Sequence, residues 1–180
     1  GRKMLGTNEI FFDNVRIPDS CQVGEANKGW ACLLSGLMLE RIVTTADYSM
    51  PAQVDVDQAL TFAQEREQFD QPIGEFQAIA HMLADMQTEV DAARMLMLRA
   101  ALKLAKREPC LREVSQAKLF GSETFVKVAN MGMQILGGYS YMMEFDMQRH
   151  FRDSRSTTIT AGTSQIQRNM IANTMGLKVR

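Results

Sequence analysis

Glu40 is a carboxylate whose residue type and helical neighbours could support acid–base chemistry. It lies in Leu39-Glu40-Arg41, inside a helical apolar pattern that runs from Gly29 to about Tyr48. Burial of a carboxylate without a cationic partner raises its pKa and favours general-base chemistry, whereas a solvated helix glutamate is the more common explanation for one such residue taken alone. The positions three and four residues away carry no opposite charge: Gly36, Leu37, Val43 and Thr44.

Two other segments have the residue types of an anion site. Thr163, Ser164 and Gln165 open the last predicted helix, with Ser164 as its expected N-cap, and the free N–H groups there suit a phosphate. Gly137-Gly138 ends an earlier helix, where glycine serves either as a C-terminal cap or as a site of close ligand approach. A Rossmann-type site is excluded because the chain has no Gly-x-Gly-x-x-Gly.

Composition restricts the class of protein. Of the 180 residues, 46% are hydrophobic and 23% charged, and the formal net charge is −1. These values are typical of a globular protein and give no general electrostatic reason to bind nucleic acid or an anionic membrane. No apolar run approaches the ~20 residues that a membrane-spanning helix needs. Three cysteines without a Cys-x-x-Cys pair, and His81 and His150 without ligand spacing, predict neither disulfides nor a metal site. A reducing intracellular compartment fits this cysteine usage.

Helical periodicity accounts for most of the chain. Pro51 is expected to break or kink the first long helical pattern, and glycine and proline separate the later ones. Four long segments with short connections predict an all-α fold, an antiparallel four-helix bundle. The predicted helices are Gly29 to Tyr48, Ala52 to Glu67, Glu75 to Arg107, Leu111 to Leu136 and Ser164 to Met175.

Residues 8–18 form the exception to this helical pattern. The segment alternates like one or two short strands with a turn at Asp13-Asn14, and Pro18 ends it. An isolated hairpin is marginally stable in water, so these strands are expected to belong to a sheet formed with chain outside the 180 residues. We therefore predict the end of a β-domain at 1–26 and a helical bundle domain at 27–180, together the C-terminal part of a longer protein.

An ordered set of short motifs resembles the acyl-CoA dehydrogenase family. Each motif alone is weak, but the set covers nearly the whole chain in order. The resemblance implies the family's C-terminal antiparallel four-helix bundle, preceded by a short β remnant of its middle domain. The motifs are Phe11-Phe12-Asp13-Asn14-Val15-Arg16-Ile17-Pro18, Glu65-Arg66-Glu67-Gln68-Phe69, Pro72-Ile73-Gly74-Glu75-Phe76-Gln77, Leu83-Ala84-Asp85-Met86, Gln134-Ile135-Leu136-Gly137-Gly138-Tyr139, Arg152-Asp153 and Gly162-Thr163-Ser164-Gln165-Ile166-Gln167-Arg168.

The resemblance also implies a chemistry and its base. Family members use FAD to dehydrogenate an acyl-CoA thioester, and most carry a catalytic glutamate where this chain has Ala161. The isovaleryl-CoA-like branch places its base in a Leu-Glu-Arg sequence and has Ala-Gly-Thr at the later position. This chain has both features, so the resemblance implies that Glu40 abstracts the α-proton while hydride passes to flavin N5. The N–H of residue 161 is expected to polarise the thioester, and the small alanine to leave room for a branched acyl group.

Cofactor and substrate residues follow from the same resemblance, position by position. Met38 stands where the family usually has an aspartate that touches CoA, and Asp70 and Ser140 replace two family glycines. The implied FAD contacts are Arg66 and Gln77, reaching the cofactor of a neighbouring subunit, Gln134, Ile135, Leu136, Gly137 and Gly138 near the pyrophosphate and adenosine, and Thr163, Ser164 and Gln165. The implied substrate contacts are Met38, Leu39, Arg41, Ala161 and Gly162.

Partners and alternatives complete the expectation. The resemblance implies an electron-transferring flavoprotein as electron acceptor, a homo-oligomer built as a dimer of dimers, and a location in the bacterial cytoplasm or the mitochondrial matrix. The 180 residues alone are expected to be inactive. A flavin monooxygenase or oxidase on the same fold, and a non-catalytic oligomerisation bundle, remain alternatives.

Overall fold

Five α-helices form the protein in the computed structural model, which describes residues 6–179 apart from the side chain of Ser35. A two-stranded antiparallel ribbon follows the first helix, pairing Glu67 with Pro72 and Gln68 with Gln71. Short 3-10 turns lie at Asp19–Cys21, Ile73–Glu75 and Gly137–Tyr141. The elements are α1 Gly29–Glu65, β1 Glu67–Gln68, β2 Gln71–Pro72, α2 Gln77–Ala105, α3 Leu111–Leu136, α4 Met147–Thr157 and α5 Ser164–Thr174.

The main core lies between α1, α2 and α3. Small residues on one face of α1 let the helices approach closely, since Ala52, Ala59 and Ala63 are almost fully buried. They pack with Met86 and Val90 of α2 and with further apolar residues of α3. A second cluster joins the start of α1, the end of α2 and the start of α3. Because early residues of α1 meet late residues of α2, the two helices are antiparallel, as predicted for the bundle.

The predicted break at Pro51 is wrong, because α1 runs unbroken through it. Proline removes one backbone hydrogen bond from a helix interior, which disfavours it there. Tyr48 and Ala52 are both buried in the main core, and this packing on either side holds the helix together. The two helices predicted before residue 67 are therefore one helix of 37 residues.

The strands predicted within residues 8–18 are not formed. Residues 6–18 contain no strand, and the large apolar side chains of Ile10, Phe11 and Phe12 are exposed. A strand needs a hydrogen-bonded partner, and no other described segment pairs with this one. The only strands among the described residues are β1 and β2. The boundary between 26 and 27 stays a prediction, and residues 1–5 lie outside the described range.

The remaining helices agree with prediction to different degrees. α3 has the predicted limits, and α2 is two residues shorter at each end than predicted. α4 was not predicted. It lies against α3 and leads into the turn before α5. None of the described helices combines the length and the apolar character needed to cross a membrane.

Candidate active site

The turn between α4 and α5 contains two consecutive residues in the left-handed region. Ala161 has φ +52° and Gly162 has φ +89°. Glycine adopts such a conformation freely, whereas alanine disfavours it by about 1 kcal/mol. Strain of this kind persists where the surroundings hold the backbone in place. Ala161 therefore lies in a constrained turn.

Three buried side chains hold this turn through its carbonyl groups. Lys118 of α3 donates from Nζ to Gly162 O at 2.7 Å and to Thr157 O at 2.9 Å. Arg41 of α1 donates from Nε to Ala161 O at 3.2 Å. The amide of Gln167 donates from Nε2 to the carbonyls of both turn residues, at 3.3 and 3.2 Å. Donors from three helices thus converge on one turn.

Two of these donors are cations with little access to solvent. Burial lowers the pKa of Lys118 to about 8, and the nearby Arg41 guanidinium adds to the effect. Burial also lowers the pKa of Arg41, with Glu40 acting in the opposite direction. Positive charge behind a turn favours negative charge in front of it, which is the electrostatic requirement for polarising a bound carbonyl group.

The amide groups of the turn are available for a ligand. Within residues 6–179, no hydrogen-bond acceptor is present for the backbone N–H of Ala161, Gly162 or Thr163. The carbonyls are occupied by Lys118 and Arg41 as described. The turn therefore has free donors and occupied acceptors, which is the arrangement expected of an oxyanion-binding turn.

Glu40 is exposed, contrary to the expectation that its side chain would be desolvated. Glu40 nevertheless lies at the same height along α1 as the turn, because the next residue, Arg41, contacts Ala161. Residues 40, 44, 47 and 51 share one helix face at steps of three and four residues. Thr44 and Asp47 on that face, together with Thr160, line a cleft of about 710 Å³. Glu40 thus stands one helical turn before this cleft.

The other predicted substrate residues have different surroundings. Leu39 is exposed. Met38 is partly buried and packs on the second core cluster beside Ile42. Its side chain thus contributes to the interior of the bundle, whereas Arg41 reaches the turn.

The predicted cofactor residues fall into two groups, of which the first shares a cleft of about 500 Å³. We call this the Arg66 cleft; it is lined by Phe62, Arg66, Gln68, Ile73, Ile135, Leu136, Gly137, Gly138, Tyr139 and Met142. The Arg66 guanidinium carbon lies 5.9 Å from the centre of the Tyr139 ring. Ile135 and Leu136 are buried in the main core at the edge of this cleft. Gln77 and Gln134 are exposed and do not line this cleft.

The two glycines of the Arg66 cleft differ in backbone conformation and in the space around them. Gly137 has φ +57° and ψ −132°. Its φ is positive, as a helix C-cap requires, but its ψ is not that of a left-handed helix. Residues with a side chain disfavour this conformation. A Cβ on Gly138 would meet nothing within 4 Å. Internal packing thus leaves room for a ligand beside the backbone here. Ser140, which replaces a family glycine, braces the turn by donating to Met133 O at 2.9 Å and Gly137 O at 2.7 Å.

The second group, Thr163, Ser164 and Gln165, lies at the start of α5. The N-cap is Thr163 and not Ser164, since Thr163 Oγ1 accepts from the N–H of Ile166 at 3.2 Å. These three residues line a separate cleft of about 490 Å³ that also includes Lys127 and Arg155. The structure therefore does not bring all predicted cofactor residues into one site within this chain.

Sequence reasoning missed Lys118 and Gln167. A signal for Lys118 was present, because it occupies the apolar face of α3 with Val114, Ala117 and Gly121, where a charged side chain needs a partner. No pattern in the sequence identified that partner, since the carbonyls it contacts lie 39 and 44 residues away.

Comparison with known proteins places this arrangement in a family. A family model described as the C-terminal domain of acyl-CoA dehydrogenases matches residues 27–176. The chain belongs to the acyl-CoA dehydrogenase family. The prediction of this family and of its helical bundle is confirmed.

Individual relatives agree with this assignment. The chain is 41% identical to the probable acyl-CoA dehydrogenase YngJ of Bacillus subtilis, over 96% of its length and 45% of YngJ. It is 38% identical to a 3-(aryl)acrylate reductase of Clostridium sporogenes, over 96% of its length and 46% of that protein. The structure of butyryl-CoA dehydrogenase from Megasphaera elsdenii matches with TM-score 0.89 and 31% identity, covering 92% of this chain and 43% of that one. The chain thus spans under half the length of these relatives.

Proposed function

We propose that this chain is the C-terminal part of an FAD-dependent enzyme that dehydrogenates an acyl-CoA thioester between its α and β carbons. The observation that carries the proposal is the hydrogen bond from Arg41 to Ala161 O, which joins Leu39-Glu40-Arg41 to the turn. In the proposed reaction the Glu40 carboxylate accepts the α-proton. The electron pair of that C–H bond forms the α,β double bond as the β-hydrogen leaves as hydride. Bound FAD supplies the acceptor for that hydride.

The turn supplies the second half of this proposal. The free N–H of Ala161 donates to the thioester carbonyl, and Lys118 and Arg41 hold the backbone that carries it. An alanine side chain leaves the base function to Glu40 and frees space beside the α-carbon. Branched acyl groups are therefore expected to be accepted. Equal turnover of isovaleryl-CoA and a straight-chain acyl-CoA would contradict this part of the proposal.

The Arg66 cleft fits part of a dinucleotide. It combines a cation at Arg66, an aromatic ring at Tyr139 and backbone at Gly138 that no side chain covers. The α5 start offers N–H groups suited to a phosphate, with Lys127 and Arg155 in the same cleft. In the proposal one FAD uses the α5 start of its own subunit and another subunit's FAD uses the Arg66 cleft. Gln77 and Gln134 contact the same FAD as the Arg66 cleft in this proposal.

An oligomer would cover surface that is apolar in this chain. Met95, Leu98 and Leu102 are exposed at steps of three and four residues along α2. We propose a dimer of dimers, with an electron-transferring flavoprotein as acceptor and a location in the bacterial cytoplasm or the mitochondrial matrix. Within this proposal the segment 1–26 ends a middle β-domain, and the 180-residue chain alone has no activity.

Replacement of the proposed base tests the reaction. Full-length protein with Glu40→Gln, which keeps the side-chain shape and removes the carboxylate, is expected to lose α,β-dehydrogenation by at least a hundredfold while retaining FAD. Glu65→Gln, at the far end of α1, is the matched control and is expected to retain activity. Unchanged turnover in Glu40→Gln would remove Glu40 as the base.

The electron acceptor separates the alternatives. Full-length protein that reduces an electron-transferring flavoprotein and consumes little oxygen supports the dehydrogenase. Rapid oxygen consumption without reduction of that partner would favour the oxidase or monooxygenase. A parent protein that holds no FAD and oxidises no acyl-CoA would favour a non-catalytic bundle.

A further inference from the structure

A buried acid–imidazole pair lies outside the residues used so far. Asp55 of α1 is fully buried, and its Oδ1 lies 2.5 Å from Nδ1 of His150 on α4. Burial raises the pKa of Asp55, and the hydrogen bond with His150 acts in the opposite direction. The other oxygen of Asp55 has no partner among the described residues. Such a pair contributes little stability compared with apolar residues of similar volume, so it calls for another role.

His150 connects this pair to the large cleft beside the turn. The side chain of His150 is about nine-tenths buried, and it lines the cleft of about 710 Å³. We call this space the His150 cleft; the lining residues used below are Thr44, Asp47, Pro51, Arg149, His150, Asp153 and Thr160. Within residues 6–179, Nε2 of His150 makes no hydrogen bond. An oriented ring with one satisfied nitrogen and one open nitrogen is suited to contact a ligand.

The lining of the His150 cleft places several hydrogen-bond acceptors within a surface that is otherwise largely apolar. In the tautomer that donates from Nδ1 to Asp55, the other ring nitrogen, Nε2, is a hydrogen-bond acceptor. The carboxylates of Asp47 and Asp153 form no ion pair within the described part of the chain. Arg149, the cation of this lining, is paired with Asp146 at 2.9 Å. The open groups therefore favour a ligand that donates hydrogen bonds and carries positive charge.

Pro51 adds one more acceptor. Proline has no amide hydrogen, so the carbonyl four residues earlier, at Asp47, lacks its helical donor. Both residues line the His150 cleft. This contribution comes from the backbone and is independent of the acidic side chains.

The cleft lies where the far end of an acyl chain would extend. Thr44 lies one helical turn after Glu40 on the same face of α1. Thr160 directly precedes Ala161. A thioester placed between Glu40 and the N–H of Ala161 thus has the His150 cleft next to it.

We propose that the His150 cleft selects acyl thioesters whose chain ends in a protonated amine. His150, oriented by Asp55, and the carboxylate of Asp47 receive the ammonium hydrogens, which makes His150 a specificity-determining residue. This inference rests on the proposed function, which places the thioester between Glu40 and the N–H of Ala161. It predicts a preference for the cationic chain over an apolar chain of equal size.

Unreactive ligands test the preference without turnover. S-(5-aminopentyl)-CoA and S-hexyl-CoA have equally long chains and lack the carbonyl that oxidation requires. By calorimetry on the full-length holoenzyme near pH 7, the amine is expected to bind at least tenfold more tightly. Equal affinity, tighter binding of S-hexyl-CoA, or no binding of either ligand would overturn the proposal.

The variants follow from the buried pair. His150→Leu alone would leave the Asp55 carboxylate buried without a partner and endanger folding. The double variant Asp55→Ala/His150→Leu replaces both members with apolar groups, and it is expected to fold and to lose most of the preference. Asp47→Asn should weaken the amine several-fold, and Glu144→Gln, at a different cleft, should not. An unchanged preference in the folded double variant overturns the role of His150.

The binding preference and the activity of Glu40→Gln test the cleft and the assigned base independently. An intact amine preference together with full activity of Glu40→Gln contradicts the assigned base and supports the cleft. Loss of dehydrogenation in Glu40→Gln together with equal binding of the two thioethers supports the reaction and contradicts the cleft.

Discussion

Arg41 donates its Nε–H to the carbonyl of Ala161 at 3.2 Å, across 120 residues of sequence. The guanidinium also places Nη1 3.5 Å from the sulfur of Met170 on α5. One buried side chain therefore joins α1, the turn and the last helix. In the proposed reaction, the distance between Glu40 and the thioester depends on this contact.

Arg41→Lys is expected to lower kcat/KM of the full-length protein by at least tenfold. Lysine has no Nε–H at the same place and no planar group to span Ala161 and Met170. The free energy of unfolding should fall by about 1–3 kcal/mol, because a buried carbonyl loses a donor. Steady-state kinetics and chemical denaturation measure the two effects. The control is Arg94→Lys on the exposed side of α2, where both quantities should stay near those of the parent.

Proline and glycine at helix ends are enough to predict the limits of some elements but not of others. The limits of α3 were predictable because Pro109 precedes it and Gly137 follows it. Pro51 was misread as a break because the packing of α1 against α2 and α3 comes from distant residues. α4, Met147–Thr157, was missed because it is short and mostly polar, which leaves no apolar stripe to detect.

The candidate site shows the same division. Glu40 and Ala161 were identified from family motifs that are local in sequence. The contacts of Lys118 and the pairing of Asp55 with His150, 95 residues apart, depend on the assembled bundle. A single sequence carries no periodic signal for such long-range polar contacts.

The lowered pKa of Lys118 predicts that the free energy of unfolding increases with pH. Its folded pKa of about 8 lies below the ordinary value of 10.5, so between these values the unfolded chain binds more protons than the folded one. The burial penalty is full below pH 8 and is relieved as pH rises. The neutral amine keeps two hydrogens for the carbonyls of Thr157 and Gly162. From pH 7 to 9.5 the free energy of unfolding should gain about 2 kcal/mol from this residue.

Lys118→Met isolates the contribution of that residue. The variant loses both hydrogen bonds and is less stable than the parent by about 1–3 kcal/mol at neutral pH. Denaturation curves at a series of pH values give the parent-minus-variant difference, which should widen above pH 8. A difference that is constant from pH 7 to 9.5 would show that the folded pKa is not lowered.

Glu113 predicts a loss of stability in acid. Its carboxylate accepts from Lys103 at 2.8 Å and Arg99 at 3.3 Å, and the Lys103 hydrogen bond is the main cause of its lowered pKa. A lowered folded pKa contributes stability above pH 4.5 that is lost as pH falls through the folded value. Glu113→Gln should therefore be less stable by about 1 kcal/mol at pH 7 and approach the parent near pH 3. Glu108→Gln, in the exposed connection between α2 and α3, should show no such convergence.

The β-ribbon after α1 provides a test of backbone strain. Phe69 has φ +55° and Asp70 has φ +61°, and a two-residue hairpin turn of type I′ requires positive φ at both positions. The second of these positions favours glycine, and Asp70 stands where family members commonly have it. Asp70→Gly is therefore expected to raise the free energy of unfolding by about 0.5–1 kcal/mol.

The same substitution on a helix gives the opposite expectation. Asp91 is exposed inside α2, where glycine is unfavourable, so Asp91→Gly should lower the free energy of unfolding by about 0.5 kcal/mol. Both variants remove one negative charge, so a difference in sign between them is due to the backbone. Thermal and chemical denaturation of the two variants measures it. Destabilisation by Asp70→Gly comparable to that by Asp91→Gly would show that the ribbon turn does not adopt positive φ at Asp70.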